Sequence, residues 1–234
     1  MLSIQERNKK IAINRWNNKF QKDIRIIELN IKKFPLLNAR LIGYFMGDGS
    51  VTVRPEKNGA IHHTCCFFPD DKYMKNSFLE GIDKIYKLTP HIKEVKNNWK
   101  ITFGSKAVVT YLLKNYGSFR SLEWKLPNFK TEEELKEWLR AFFDCEAHVS
   151  KKSIQLQSVN KEGILQIKNV LERLDIKSGL CTYERKNKNW NTNYILSITK
   201  KSERYKFLKT IGFYHKRKLE KLTKLVKAGV PESG

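Results

Sequence analysis

One short pattern occurs twice in this chain and sets its architecture. Leu41–Ser50 reads LIGYFMGDGS and Leu139–Ser150 reads LRAFFDCEAHVS. Each copy runs from an apolar residue through a small residue, an aromatic pair and a second small residue to an acid. The small residues are Gly43 and Gly47 in the first copy, Ala141 and Cys145 in the second, and the acids are Asp48 and Glu146, 98 positions apart. Residues four apart share one face of a helix, so each copy carries a stripe along which two helix backbones approach closely. Both acids then fall at a helix C-terminus, where the macrodipole disfavours a carboxylate. A crossing that unites them adds like-charge repulsion. A hard cation such as Mg²⁺ relieves both costs. Two carboxylates on Mg²⁺ near a phosphate suit metal-assisted phosphodiester hydrolysis.

The repetition extends past the motifs. Leu112 and Leu208 are 96 apart, Gly117 and Gly212 are 95 apart, and this near-constant offset implies a duplicated unit. The first unit reads as a motif helix (38–48), strands 51–54 and 61–68, a helix capped by Asp70-Asp71, strands 92–95 and 99–103 and a helix 105–116. In the second, Thr131 with Glu134 forms a capping box that opens the motif helix. Strands follow at 149–157, 179–185 and 194–199, with helices at 161–174, 202–211 and 216–227. The expected fold class is α+β: two pseudo-symmetric αββαββα halves in one monomeric chain, with the motif helices packed at the centre. The expected divisions are a basic extension (1–35), the first half (36–117), a connector (118–130) and the second half with a basic last helix (131–234). Residues 1–33 read as one or two short helices outside the core, either an arm that contacts DNA or a solvated cap.

Charge supplies the partner. Lys and Arg number 46 against 24 Asp and Glu, a net +22 spread along the chain, which predicts binding to a polyanion. Cys65, Cys66, Cys145 and Cys181 form no CxxC pair, which points to reduced thiols in an intracellular protein. No apolar run is long enough for a membrane span. The first residues lack the apolar core of a secretory signal.

The two motifs resemble those of LAGLIDADG homing endonucleases in the single-chain, two-motif form, from about Leu36 onward. KLPNF (Lys125–Phe129), SVNKEG (Ser158–Gly163) and FLKTIGFYHKRKLEKL (Phe207–Leu222) look like the archaeal and organellar branch. Ala141 and Ala147 stand where the family has glycine. The resemblance implies a site-specific double-stranded DNA endonuclease that uses Mg²⁺, with Mn²⁺ able to substitute, and works alongside the host genome. It also implies that Asp48 and Glu146 bind metal with help from the carbonyls of Gly47 and Cys145. Basic residues beside the acids are then expected, and Lys161 and Lys106 are the candidates.

The resemblance further implies two sheets forming a saddle over the duplex. In the strands apolar and polar side chains alternate, as in a sheet with one solvated face. The polar positions hold types that bond base edges in the major groove. The candidate DNA contacts are Thr52, Arg54, His62, Lys100, Thr102, Lys151, Ser153, Gln155 and Gln157, with Arg185, Lys186 and Lys188 in a basic loop. His62-His63 with Cys65-Cys66 does not make a zinc site, since neighbours on a strand face opposite ways. His148 reads as a surface histidine and Asp144 as a solvated acid at the helix end. Two alternatives share the scaffold: an intron RNA maturase, which needs no metal acids, and a DNA-binding protein that does not cut. An intein origin is disfavoured, because the sequence shows neither a first splice nucleophile nor a final His-Asn.

Overall fold

The computed structural model describes residues 4–57, 59–96, 98–184 and 191–227. Helix α1 (Ile4–Lys33) leads into α2 (Pro35–Met46), the first motif helix. Pro35 occupies the first turn of α2, where its missing N–H costs nothing and its fixed φ is already helical. The helix therefore starts three residues earlier than the spacing predicts. It ends at Met46, because Gly47 leaves helical geometry. Strands β1 (Gly49–Pro55) and β2 (Ile61–Phe67) follow, then α3 (Lys72–Gly81), which continues as a π-helical turn, Ile82–Tyr86. Asp71 caps α3 by accepting from the N–H groups of Tyr73 and Met74. Strands β3 (His91–Val95) and β4 (Asn98–Gly104) and helix α4 (Lys106–Tyr116) complete this half.

The second half repeats the order. Helix α5 (Glu132–Glu146) opens with the capping box of Thr131 and Glu134. Strands β5 (Ala147–Val149) and β6 (Ile154–Ser158), helix α6 (Lys161–Arg173), strands β7 (Gly179–Tyr183) and β8 (Asn193–Ile198) and helices α7 (Lys201–Thr210) and α8 (Lys216–Lys227) follow. Two fully antiparallel sheets result, ordered β1-β2-β4-β3 and β5-β6-β8-β7. Gly117 and Gly212, matched by offset, both take positive φ, +75° and +66°, just past α4 and α7. Only glycine enters that region without strain.

Two expectations need correction. The run 149–157 is not one strand. Ser150 and Ser153 close a tight turn, with the Ser150 N–H donating to the Ser153 carbonyl at 2.9 Å, so β5 and β6 form a hairpin. Residues 4–33 are also not one or two short helices wholly outside the core. α1 is a single 30-residue helix; Ile27 is buried, and Phe20, Ile24 and Ile31 pack on the core.

The motif helices cross as the small-residue stripes require. A Cβ on Gly43 would lie 2.7 Å from the Ala141 Cβ and 2.8 Å from the Trp138 carbonyl oxygen, and one on Gly47 would collide with the Cys145 side chain. The seam therefore pairs glycine on α2 with Ala141 and Cys145 on α5. The aromatic pairs anchor each helix to its own half: Tyr44 stacks on Phe67 of β2 at 4.9 Å, and Phe143 packs on Phe207 of α7 with ring centres 5.0 Å apart. Gly47→Ala is expected to cost about 1–3 kcal/mol through overpacking. Cys145→Gly, which removes the opposing atoms, should recover much of that loss. Urea unfolding of the two single mutants and the double mutant measures the coupling, and strictly additive costs would contradict this seam.

Candidate active site

The crossing delivers Asp48 and Glu146 to one place. Asp48 follows α2 just before β1, and Glu146 is the last residue of α5, so both acids sit where a central helix turns into the first strand of its sheet. The tight exit in the first half needs Gly49, because a Cβ there would lie 2.6 Å from the Phe45 Cα. The second half needs no glycine: Ala147 is extended, at φ −85° and ψ 141°.

Burial raises the pKa of both acids. The Glu146 carboxyl is pushed up to about 7, by burial first and by the Asp48 charge second, against the opposing pull of Lys218. Asp48 is raised by burial and by Asp70, while Lys218 and a hydrogen bond with Cys145 hold it down. These carboxylates are close enough to repel and are incompletely neutralised.

Lys106 and Lys161 are not among the charges that shift these two acids. The Lys106 ammonium lies 5.7 Å from the Phe20 ring centre on the outer side of α4. Lys161 is exposed at the first turn of α6. The cation beside the acids is Lys218 of α8, whose Nζ donates to the Asp144 carbonyl and, at 3.2 Å, to the Cys145 carbonyl. It thus caps the C-terminus of α5. The Cys145 carbonyl, expected to face a metal, accepts from this ammonium. A signal for Lys218 was present: it lies four and eight residues before Leu222 and Val226, the buried positions of α8.

Asp144 also departs from expectation. It is 1% exposed rather than solvated, and its carboxylate accepts from the Tyr214 N–H at 3.1 Å and the His215 N–H at 3.0 Å. Burial pushes its pKa up to about 7 against those two bonds. Asp144 thereby fixes the segment that presents Lys218. Buried His215 reaches across to the first half, with Nε2 3.4 Å from Asp70 and Nδ1 3.8 Å from Asp71. The Asp70 pKa is lowered, chiefly by the His215 hydrogen bond.

A second polar cluster locks the helices nearer their N-termini. Glu137 of α5, 5% exposed, pairs with Arg40 of α2 and, at 2.9 Å, with Arg140. The Tyr214 hydroxyl donates to Glu137 at 3.2 Å and accepts from Arg40 and Arg140.

The candidate DNA contacts fall largely on one face of each sheet. Cross-strand pairing puts Arg54 beside His62 and Thr52 beside Thr64, in line with Thr102 and Lys100. Arg54, His62 and Lys100 are exposed, while Thr52 and Thr102 are half-buried. In the second sheet His148 pairs with Gln155, and Gln157 follows on that face. A groove of about 480 Å³ runs here, lined by Gly47, Glu146, His148, Gln155, Gln157 and Asn193 among others. His148 is therefore exposed, as expected, and adjoins the acids. Ser153 does not belong to this face: it is 4% exposed and held in the turn by Ser150. Lys151 is exposed in that same turn. Arg185, Lys186 and Lys188 lie outside the described residues.

Among the described residues no group of three or more His, Cys, Asp or Glu forms a metal cage. Two carboxylates with a phosphate and waters nevertheless match Mg²⁺, which uses few protein ligands. The uncompensated charge of Asp48 and Glu146 fits such an ion. All four cysteines are free thiols. No helix among the described residues is long and apolar enough to cross a membrane.

The raised Glu146 pKa has a thermodynamic sign. Stability from this group is full below the ordinary glutamate pKa and is lost as pH rises through about 7. In metal-free buffer the loss amounts to about 3 kcal/mol. Glu146→Gln should therefore raise Tm at pH 8 and leave it nearly unchanged at pH 4.5. Thermal melts across that range check this, and an equal Tm shift at both pH values would contradict it.

Comparison with known proteins agrees with this geometry. A family model described as a LAGLIDADG-like domain matches residues 133–212, and one described as a WhiA LAGLIDADG-like domain matches residues 37–136. An uncharacterized protein of Methanocaldococcus jannaschii is 29% identical over 244 residues, covering 95% of this chain and 84% of that protein. The replication factor C small subunit of Methanocaldococcus jannaschii is 30% identical over 194 residues, covering 81% of this chain but 10% of that protein. The Thermococcus kodakarensis replication factor C small subunit is 28% identical over 197 residues, with 82% and 21% covered. The chain thus spans a tenth to a fifth of these two longer relatives. The crystal structure of I-DmoI in complex with DNA and Mn shares the fold, with a TM-score of 0.59, 16% identity and coverage of 76% of this chain and 96% of that one. The I-LtrWI LAGLIDADG homing endonuclease bound to target DNA gives a TM-score of 0.51, 16% identity and coverage of 82% and 88%. Duplicated motifs, two like sheets and family models on both halves make this chain a member of the LAGLIDADG family, in its single-chain, two-motif form.

Proposed function

We propose that this protein is a site-specific endonuclease that hydrolyses one phosphodiester on each strand of duplex DNA, with a divalent cation held by Asp48 and Glu146. The observation that carries this reading is the pair of half-buried carboxylates, one at the end of each motif helix, that the helix crossing delivers between two sheets, with the Asp48 charge acting on Glu146. A resident Mg²⁺ or Mn²⁺ would supply Lewis-acid charge that lowers the pKa of water and offsets charge building on the phosphate. Lys218 holds a fixed positive charge beside the same phosphate, where preorganised charge favours the transition state. Asp144 and His215 position Lys218 through the start of α8.

Thr52, Arg54, His62, Lys100 and Thr102 on the first sheet, and Gln155 and Gln157 on the second, are proposed to read base edges. Lys151 is proposed to contact phosphate. The divisions 1–35, 36–117, 118–130 and 131–234 serve this reading as arm, half, connector and half. Matches to short stretches of longer, differently named proteins support a portable unit of the kind that homing requires. Solved proteins of this fold were crystallised with DNA and Mn or Ca.

A randomised duplex library, incubated in Mg²⁺ and then in Ca²⁺, tests the proposal. Cleavage of selected sequences in Mg²⁺ alone is expected. A second reading, DNA binding without cleavage, draws on the WhiA-type match to the first half. Selected binding with no cleavage in Mg²⁺ or Mn²⁺ would favour it.

A further inference from the structure

Helix α1 changes character at Phe20. From there on Phe20, Ile24, Ile27 and Ile31 pack on the body, and the Asn30 amide donates to the Ile85 carbonyl at 2.9 Å. Phe20 lies beside Lys106, at the N-terminus of α4, where the chain has just left β4. All sixteen residues from 4 to 19 are exposed, Trp16 to 71%. The helix therefore overshoots the body by about 24 Å. A helix of this length is marginal in water unless something packs on it. The overshooting part carries Arg7, Lys9, Lys10, Arg15 and Lys19 against one acid, Glu6, and four asparagines lie between them.

We propose that residues 4–19 form an arm that binds duplex DNA outside the stretch covered by the two sheets. The proposal rests on the DNA reading above and adds a second, separate contact surface. Arg7, Lys9 and Lys10 near the tip and Arg15 and Lys19 nearer the body give two basic clusters that can reach phosphates, and Asn side chains donate to phosphate and sugar oxygens. Such contacts add affinity without adding sequence preference. Charge argues against a second copy of the chain as occupant, since pairing two arms brings like charges together.

The test uses the full-length protein and a fully folded variant, R7Q/K9Q/K10Q/R15Q/K19Q. These positions are exposed, so thermal unfolding should be unaffected. Affinity is measured by fluorescence anisotropy across a salt series, on a long duplex of arbitrary sequence and on one just long enough for the two sheets. On the long duplex the variant is expected to bind about 10–100-fold more weakly at physiological salt. Its slope of log K against log salt should be smaller by about 3–4. On the short duplex the two proteins should agree. Equal slopes on the long duplex would overturn the arm and leave the nuclease reading intact. A concentration-dependent dimer abolished by the substitutions, or loss of binding confined to RNA, would overturn it in favour of that other occupant. Absence of duplex binding by either protein would reject the DNA reading of the whole chain.

Discussion

Asp48→Asn and Glu146→Gln should each lower double-strand cleavage about a thousandfold or more. A bound divalent ion contributes several kcal/mol to the transition state of phosphodiester hydrolysis, and each 1.36 kcal/mol is tenfold in rate. Both substitutions keep the side chain's shape, so the helix crossing survives. Both also remove a negative charge that repels phosphate, so duplex affinity should hold or rise. Because each acid sits at the exit of a different half, single mutants should accumulate nicked rather than linear product before activity disappears. A time course on supercoiled plasmid carrying a selected target separates these species. Full linearisation by both mutants would end the assignment of this pair. Loss of cleavage together with loss of DNA binding would point to a structural role instead.

The next largest effect should come from a residue far from any phosphate. Glu137 is buried and is the counter-charge for Arg40 and Arg140, which meet across the motif helices. Desolvation lowers the Arg40 pKa, yet the Glu137 charge and its companions more than offset this, and the net direction is upward. Glu137→Gln leaves two half-buried guanidinium groups without that charge. Breaking a buried pair in this way costs about 3–5 kcal/mol. At this chain length that lowers Tm by roughly 10 °C. Replacing Arg40, Glu137 and Arg140 together with apolar residues of similar volume should cost much less, since the desolvation penalty goes with them. Urea unfolding distinguishes the two outcomes. A triple variant no more stable than Glu137→Gln would show that the ion cluster itself holds the helices.

The sequence made the halves legible where local chemistry is strong. The capping box at Thr131, the cap at Asp71 and the paired Gly117 and Gly212 each act within a few residues. The small-residue stripes were readable because close helix approach leaves few alternatives to Gly, Ala and Cys. What stayed hidden depends on distant partners. Lys218 looks like one more cation in a basic helix until α8 docks on the end of α5. Asp144 looks solvated until the backbone of Tyr214 and His215 meets it from 70 residues away. Ser153 continues the polar alternation of β6, yet the turn with Ser150 buries it. The extent of α1 was obscured because its apolar stripe runs on past the body that covers it.

The helix seam has one more consequence. Its two sides are no longer equivalent, with Gly43 and Gly47 on one and Ala141 and Cys145 on the other. Two copies of the second helix would force side chains into space that only glycine leaves free. Two copies of the first would leave gaps where those side chains now sit. Each half is thus the preferred mate of the other and a poor mate for its own duplicate. Sharing one chain, the halves are released from keeping the same surface, and the two sheets are free to diverge from one another.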